Sequence, residues 1–167
     1  TELSTKYGRL CTQIAQNILS NQQDAEECVN DAYLGVWNTI PPQKPNPLQA
    51  YICKIVRNIA ITKYHANTAQ KRNSHYDVAL EELEATIPAL STVESDYDAK
   101  ELTQYLNSFL KELSREDRYL FMRRYWYGDS ITELSQKSKM TESYVKTQLF
   151  RLRQKLKDRL EKEGVQL

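Results

Sequence analysis

The chain has 167 residues, of which 40% are hydrophobic and 27% are charged. This balance is that of a globular protein and excludes a disordered chain, while the length allows one ordinary domain or two small ones. The formal net charge is +1, so the overall charge alone favours no class of partner.

Three helices are predicted in the first 72 residues, because apolar residues recur there at helical spacing. The first covers about residues 4–19, and the third begins near residues 46–48 and ends around residues 70–72. The second begins at Asp24 and ends at about Ile40, and a capping box between Asp24 and Glu27 is expected at its start. The residues predicted to face the core are Tyr7, Leu10, Cys11, Ile14, Ile18, Ala25, Cys28, Val29, Ala32, Val36, Ile40, Leu48, Ile52, Ile55, Val56 and Ile59.

Three cysteines, Cys11, Cys28 and Cys53, fall on or beside these apolar faces and cannot all pair with one another. They are interpreted as buried reduced thiols, which favours a cytoplasmic location. The two histidines, His65 and His75, have no ligand partner at helical spacing, so no metal or cofactor is expected. No apolar stretch indicates an export signal or insertion into a membrane.

The segment 73–98 contains seven acidic residues and no lysine or arginine. Its apolar pattern is weak, so it is predicted to be an acidic linker with room for one helical turn.

Four further helices are predicted after this segment, and their starts carry capping residues. They cover about residues 99–112, 114–127, 130–138 and 141 onward. The predicted caps are Ser114, Ser130 in a capping box with Glu133, and Thr141, and the predicted inward residues of the first of the four are Leu102, Leu106, Phe109 and Leu110.

The predicted fold class is all-α, because helical periodicity recurs and alternating strand patterns are absent. Two small helical domains are expected, residues 1–72 and residues 99–167, joined by the acidic linker 73–98. The second is predicted to be a helix-turn-helix domain.

The last two helices and the tight connection at Lys139–Met140 have the pattern of a helix-turn-helix. The final helix has an apolar stripe of Val145, Leu149, Leu152, Leu156 and Leu160, and an outer face of Ser143, Lys146, Thr147, Phe150, Arg151 and Gln154. In this motif the second helix enters the major groove of DNA. The alternative is a basic amphipathic helix that only packs on its neighbours, but the large apolar Phe150 on a basic face favours a partner.

The outer faces of the second and third helices each allow two interpretations. Leu34 lies among Glu27, Asn30, Asp31 and Asn38 and next to Trp37, so it is either an ordinary exposed residue or the anchor of a protein interface. Lys54, Arg57, Asn58, Ile61 and His65 suit single-stranded nucleic acid or a plain surface. The loop 41–47 has four prolines and is therefore stiff, either as a wall for an extruded base or as a rigid corner.

Together these runs resemble the extracytoplasmic-function sigma factors of bacterial RNA polymerase. Residues 24–37 resemble region two, residues 49–61 its promoter-melting helix, and residues 128–134 with 144–153 region four. Apart from the linker, the similarity extends from about Tyr7 to Leu160.

The resemblance implies a sigma factor that binds core RNA polymerase and directs promoter recognition, melting and transcription initiation. It implicates Asn30, Asp31, Leu34 and Trp37 in binding the clamp of the polymerase. It implicates Lys54, Arg57, Asn58 and Ile61 at the minus-ten element, and Ser143, Lys146, Thr147, Phe150 and Arg151 at the minus-thirty-five element. An anti-sigma factor is a further partner that the resemblance allows.

Several positions depart from the family pattern. Lys139 replaces the usual turn glycine, so the turn is expected to use another geometry. Lys137 and Ser138 replace apolar residues, which is expected to weaken the packing of the short helix. Gly35 interrupts the clamp-binding helix, and Thr62 replaces a usual acid.

Two other classes of protein are less consistent with the sequence. A helix-turn-helix regulator that is not a sigma factor would explain the last helix but leaves the amino-terminal half unassigned. An enzyme such as a nuclease is not expected, because the sequence offers no carboxylate cluster, Cys/His pair or phosphate-binding loop.

Overall fold

The computed structural model describes residues 2–67, 74–91 and 96–166, and these residues form helices and no strands, as predicted for an all-α fold. None of the helices in these ranges is both long enough and apolar enough to cross a bilayer. The helices are α1 Glu2–Leu19, α2 Gln22–Thr39, α3 Leu48–Ala66, α4 His75–Thr86, α5 Asp96–Glu112, α6 Arg115–Tyr125, α7 Ile131–Ser138 and α8 Glu142–Lys162, with a 3-10 turn at Pro88–Ser91. The chain divides into two compact units, unit 1 being Thr1–Asp77 and unit 2 being Val78–Leu167.

Unit 1 is built on α1, α2 and α3, each of which packs against the other two. Burying one isoleucine in such a core contributes roughly 1.5–3 kcal/mol, so the apolar stripes account for the association of the helices. The buried apolar residues of this unit are Cys11, Ile14, Ala15, Ile18, Leu19, Ala25, Cys28, Val29, Ala32, Val36, Ile52, Cys53, Val56, Ala60 and Tyr64.

Six residues predicted to face this core are only half-buried, namely Tyr7, Leu10, Ile40, Leu48, Ile55 and Ile59. Ala15, Cys53 and Ala60, which were not among the residues predicted to face the core, are buried instead. Small side chains suit these positions because they let helix backbones approach closely. The third helix ends at Ala66, and its predicted end around residues 70–72 lies outside the described residues.

The start of α2 differs from the prediction. Asn21 is the capping residue, and its side-chain oxygen accepts a hydrogen bond from the backbone N–H of Asp24 at 3.0 Å. Glu27 instead accepts from Lys63 of α3 at 2.6 Å, and Asp24 lies 3.5 Å from the same ammonium group. The predicted capping box is therefore wrong, because an asparagine three residues upstream provides the cap and Glu27 finds a cation on another helix.

In unit 2, α7 is followed after a short turn by α8, the two helices predicted to form a helix-turn-helix. The caps predicted for its last three helices are confirmed: Ser114, Ser130 and Thr141 each accept from a backbone N–H, and Ser130 forms the capping box with Glu133. Two adjoining apolar clusters hold the helices together. The buried residues are Ile87, Phe109, Leu113, Phe121, Leu152, Leu156 and Leu160 in one cluster and Leu120, Leu134, Val145 and Leu149 in the other.

The segment expected to be a linker is helical over much of its described part. It contains α4 and the 3-10 turn, and Ile87 between them is fully buried in the core of unit 2. Leu83 and Leu90, four residues before and three after Ile87, pack against the same core. This spacing places the side chains of Leu83, Ile87 and Leu90 on the same side of the segment, against the core of unit 2. The prediction of a linker with room for one helical turn is therefore wrong for these residues.

Candidate functional site

The outer face of α2 exposes two large apolar side chains. Leu34 is 60% exposed and Trp37 is 79% exposed, and Asn30 and Asp31 beside them are exposed as well. Residues three and four apart share one side of a helix, so these four form one continuous patch, here called the α2 surface. Exposed apolar groups within a polar surround are typical of protein interfaces.

Gly35 does not interrupt α2, which continues through it to Thr39. A Cβ added at this position would meet only Ile55 Cγ2, at an ordinary contact distance of 3.9 Å. The glycine is therefore not required by the packing of unit 1.

The outer face of α3 is only partly available to a ligand. Lys54 and Asn58 are exposed, whereas Arg57 and Ile61 are half-buried. The Arg57 guanidinium lies 5.9 Å from the ring centroid of Tyr76, and desolvation lowers the pKa of Arg57. Thr62 donates to the Asn58 carbonyl of its own helix at 2.9 Å. Of the residues predicted for the minus-ten element, Lys54 and Asn58 are thus the most accessible.

Tyr51 connects the proline-containing loop 41–47 to both flanking helices. Its hydroxyl lies 3.0 Å from Thr39 Oγ1 at the end of α2 and 3.1 Å from Gln43 Oε1 in the loop. This contact positions the loop beside the start of α3. No sequence pattern indicates this contact, because Tyr51 is one of 11 tyrosines and its partners lie in α2 and in the loop.

The turn between α7 and α8 keeps the left-handed conformation that glycine favours. Lys139 has φ 57° and ψ 34°, and its backbone N–H donates to the Ser135 carbonyl. A non-glycine residue in this conformation costs roughly 1–2 kcal/mol. The expectation that lysine would force another turn geometry is therefore wrong.

Lys137 contributes to unit 2 rather than only weakening the packing of α7. Its ammonium group lies 3.2 Å from the Asp129 carboxylate, which is fully buried. Arg123 donates to the same carboxylate at 2.7 and 3.1 Å. Ser138 donates to the Leu134 carbonyl of its own helix.

The outer face of α8 carries the predicted base-contacting residues. Ser143, Lys146, Thr147 and Arg151 are exposed, Phe150 is 52% exposed and Gln154 is half-buried. The predicted apolar stripe of α8 is buried over its whole length, so packing fixes which face points outward. Cationic side chains can contact phosphates and guanine, while a phenyl ring and a threonine methyl can contact the thymine methyl group.

A cluster of ionic groups that the sequence did not predict lies inside unit 2. Glu82 of α4 accepts from Arg124 at 2.7 Å and from Tyr125 at 2.8 Å, and it also pairs with Arg153 of α8. Desolvation, and then the charge of Glu82, raise the pKa of Tyr125. We call Glu82, Arg124, Tyr125 and Arg153 the Glu82 cluster. The Glu82 cluster joins α4 to α6 and α8.

A comparison with known protein families gave a match that lies within unit 1. Residues 3–70 match the family model of sigma-70 region 2. The match covers less than half of the chain and supports a likeness of unit 1 to the sigma-70 family. Within these residues the match indicates a sigma factor function in promoter recognition by RNA polymerase. No curated protein matches the chain.

Proposed function

We propose that the chain is a sigma factor of the extracytoplasmic-function type, which acts in the cytoplasm as the promoter-recognition subunit of RNA polymerase. The observation that carries the proposal is the α2 surface, where Leu34 and Trp37 are exposed within the residues that match sigma-70 region 2. Leaving two large apolar groups in water is unfavourable unless a partner covers them. The clamp of core RNA polymerase is that partner in the proposal.

In this proposal, unit 1 also binds the minus-ten element of the promoter. Asn58 offers both a donor and an acceptor, which are sufficient to recognise one base edge after the base has left the stack. Lys54 adds a positive charge near it, and the half-buried Arg57 and Ile61 border the same face of α3. The loop 41–47, fixed through Tyr51, forms the neighbouring wall.

Unit 2 recognises the minus-thirty-five element in this proposal. The exposed face of α8 would lie in the major groove, with Lys146 and Arg151 towards phosphates or guanine and Thr147 and Phe150 towards thymine methyl groups. Ser143, near the start of α8, would contact the phosphate backbone of the DNA. An anti-sigma factor is proposed as a regulatory partner, on the family resemblance alone.

The central experiment measures binding to core RNA polymerase. Leu34→Asp should weaken binding about tenfold or more, because a central apolar anchor of an interface typically contributes more than about 1 kcal/mol and a charge would replace it. Val78→Asp is the matched control, since Val78 is also an exposed apolar residue, at 48%, but lies on α4. Titration of labelled core polymerase gives both affinities, and circular dichroism verifies that the variants are folded. Equal binding by wild type and Leu34→Asp would contradict the assignment of the α2 surface.

A second measurement separates a sigma factor from a helix-turn-helix regulator. With core polymerase and a pool of genomic DNA fragments, a sigma factor yields discrete run-off transcripts that core polymerase alone does not make. A regulator would bind duplex DNA and yield none. The match of residues 3–70 to sigma-70 region 2 favours the first outcome.

A further inference from the structure

Arg153 lies on α8 close to the proposed DNA-contacting face, yet its side chain is held inside unit 2. Its guanidinium pairs with Glu82, lies 2.7 Å from the Tyr125 hydroxyl and 3.3 Å from Thr86 Oγ1. The side chain is only 11% exposed. Three acceptors around a planar guanidinium restrict its orientation.

The same guanidinium contacts Phe150, a large exposed apolar residue on the outer face of α8. Its central carbon lies 5.7 Å from the ring centroid of Phe150, within the distance of a cation–π interaction. The Phe150 ring is half-exposed, so one part of it rests against Arg153 and the remainder faces solvent. A phenyl ring distinguishes thymine from other bases only when it meets the methyl group at van der Waals distance. Its discrimination therefore depends on which rotamer it occupies.

We propose that Glu82 is a positioning residue for sequence recognition: it fixes Arg153, which in turn fixes the Phe150 ring for contact with a thymine methyl group in duplex DNA. The inference rests on the proposed function, because it requires that α8 contacts bases. It assigns a role in DNA recognition to the segment 73–98, which composition alone would assign to a linker.

The surroundings of Glu82 support a fixed position. Its second oxygen accepts from Arg124, which is buried, and Arg124 also donates to the Asp129 carbonyl at 2.8 Å. Five residues further along, Ile87 is buried in the core of unit 2. The carboxylate is therefore anchored through its own ion pairs and through the packing of the residues that follow it.

A positioning role and a purely structural role of Glu82 lead to different expected results. If Glu82 served only to stabilise unit 2, its loss would weaken binding to every DNA sequence alike. If it positions Phe150 through Arg153, its loss should reduce discrimination at one base pair. The released Arg153 would then be available to phosphates, which raises affinity for DNA of any sequence.

The experiment uses the full-length chain and a pool of duplexes with a randomised segment. Wild-type protein selects a preferred duplex, and Phe150→Ala identifies the base pair at which Phe150 discriminates. At that base pair, Glu82→Gln should lower the ratio of affinities for the preferred and substituted duplexes by about fivefold. Affinity for scrambled duplex should stay equal or rise. Glu81→Gln removes a charge from the adjacent, exposed acid of α4 and should leave the ratio as in wild type.

Folding is checked by circular dichroism at the temperature of the binding measurements. Thr86→Val removes only one acceptor of Arg153, and it should lower the same ratio to a smaller extent even where Glu82→Gln fails to fold. An unchanged ratio in Glu82→Gln and Thr86→Val, or an equal loss at all base pairs, would overturn the inference while leaving base recognition by α8 intact. Failure of the wild type to select any sequence would overturn the proposed function of α8, and the inference with it.

Discussion

The three cysteine thiols of unit 1 are all buried, at 0%, 0% and 1% exposure for Cys11, Cys28 and Cys53. The Cys28 thiol donates to the Val56 carbonyl at 3.5 Å. Desolvation raises the pKa of Cys28 from its ordinary value of 9.0 to about 11. The pKa of Cys11 is also raised, chiefly by its hydrogen bond with Cys53 and then by burial. Both thiols are therefore protonated in the folded protein at neutral pH.

This raised pKa predicts a loss of stability in alkaline solution. Because the folded protein disfavours the thiolate, the contribution of Cys28 is fully present below about pH 9 and is lost as the pH rises to about 11. Between about pH 8 and about pH 10, the free energy of unfolding of wild type should fall by about 1 kcal/mol more than that of Cys28→Ala. Urea titrations followed by circular dichroism measure both values, and identical pH dependence in the two proteins would count against the shift.

At the scale of elements, the turn between α7 and α8 combines favourable hydrogen bonding with an unfavourable residue. The Met140 N–H donates to the Ser135 carbonyl at 3.2 Å, and the Ser135 hydroxyl lies 2.5 Å from the Met140 carbonyl oxygen. These bonds hold Lys139 in the left-handed region. The side chain of Lys139 is exposed.

Lys139→Gly should therefore stabilise unit 2. The substitution removes roughly 1–2 kcal/mol of backbone strain and costs about 0.5–1 kcal/mol through the greater freedom of glycine in the unfolded chain. A net gain of about 0.5–1 kcal/mol in the free energy of unfolding is expected. Lys139→Ala keeps the strain and removes the charge, and it should stay near wild type. If denaturant unfolding shows that Lys139→Gly is no more stable than Lys139→Ala, the backbone strain at this position is absent.

The elements themselves were largely predictable because their signals are local. Ser114, Ser130 and Thr141 each precede an apolar periodic run, and each is observed as a cap. The start of α2 was not predicted correctly, since Asn21 and Asp24 are equally good capping residues three positions apart. The hydrogen bond from the Asp24 N–H to the Asn21 side chain shows that Asn21 serves, while Glu27 accepts from Lys63.

At the scale of the whole molecule, the residues that join distant parts of the chain were not predictable. Glu82 is 42 residues from Arg124 and 71 residues from Arg153, and no periodicity links such positions. The composition of residues 73–98 instead indicated a solvated linker, because seven acids without a base are typical of one. The exposed faces of α2 and α8 were predicted, since they follow from the apolar stripes on the opposite sides of the same helices. Their roles in binding polymerase and DNA stay predictions.

The second domain should accordingly be larger than composition suggests. A fragment of residues 99–167 lacks Ile87 and Glu82, whereas a fragment of residues 78–167 retains both. Removing one buried isoleucine side chain costs about 2–5 kcal/mol, so the shorter fragment should be less stable by at least that amount. Urea unfolding of the two fragments measures the difference. Ile87→Ala in the longer fragment should give an intermediate value, and equal midpoints for both fragments would show that the segment 78–98 adds nothing.

The burial of every native thiol has a practical consequence for spectroscopy. A cysteine introduced on the surface would be the most reactive thiol of the chain, because Cys11, Cys28 and Cys53 are shielded from reagents. Fluorophores could then be attached at one chosen position in each unit without first replacing the native cysteines. Energy transfer between the two dyes would report the separation of the units in the free protein and in the presence of polymerase.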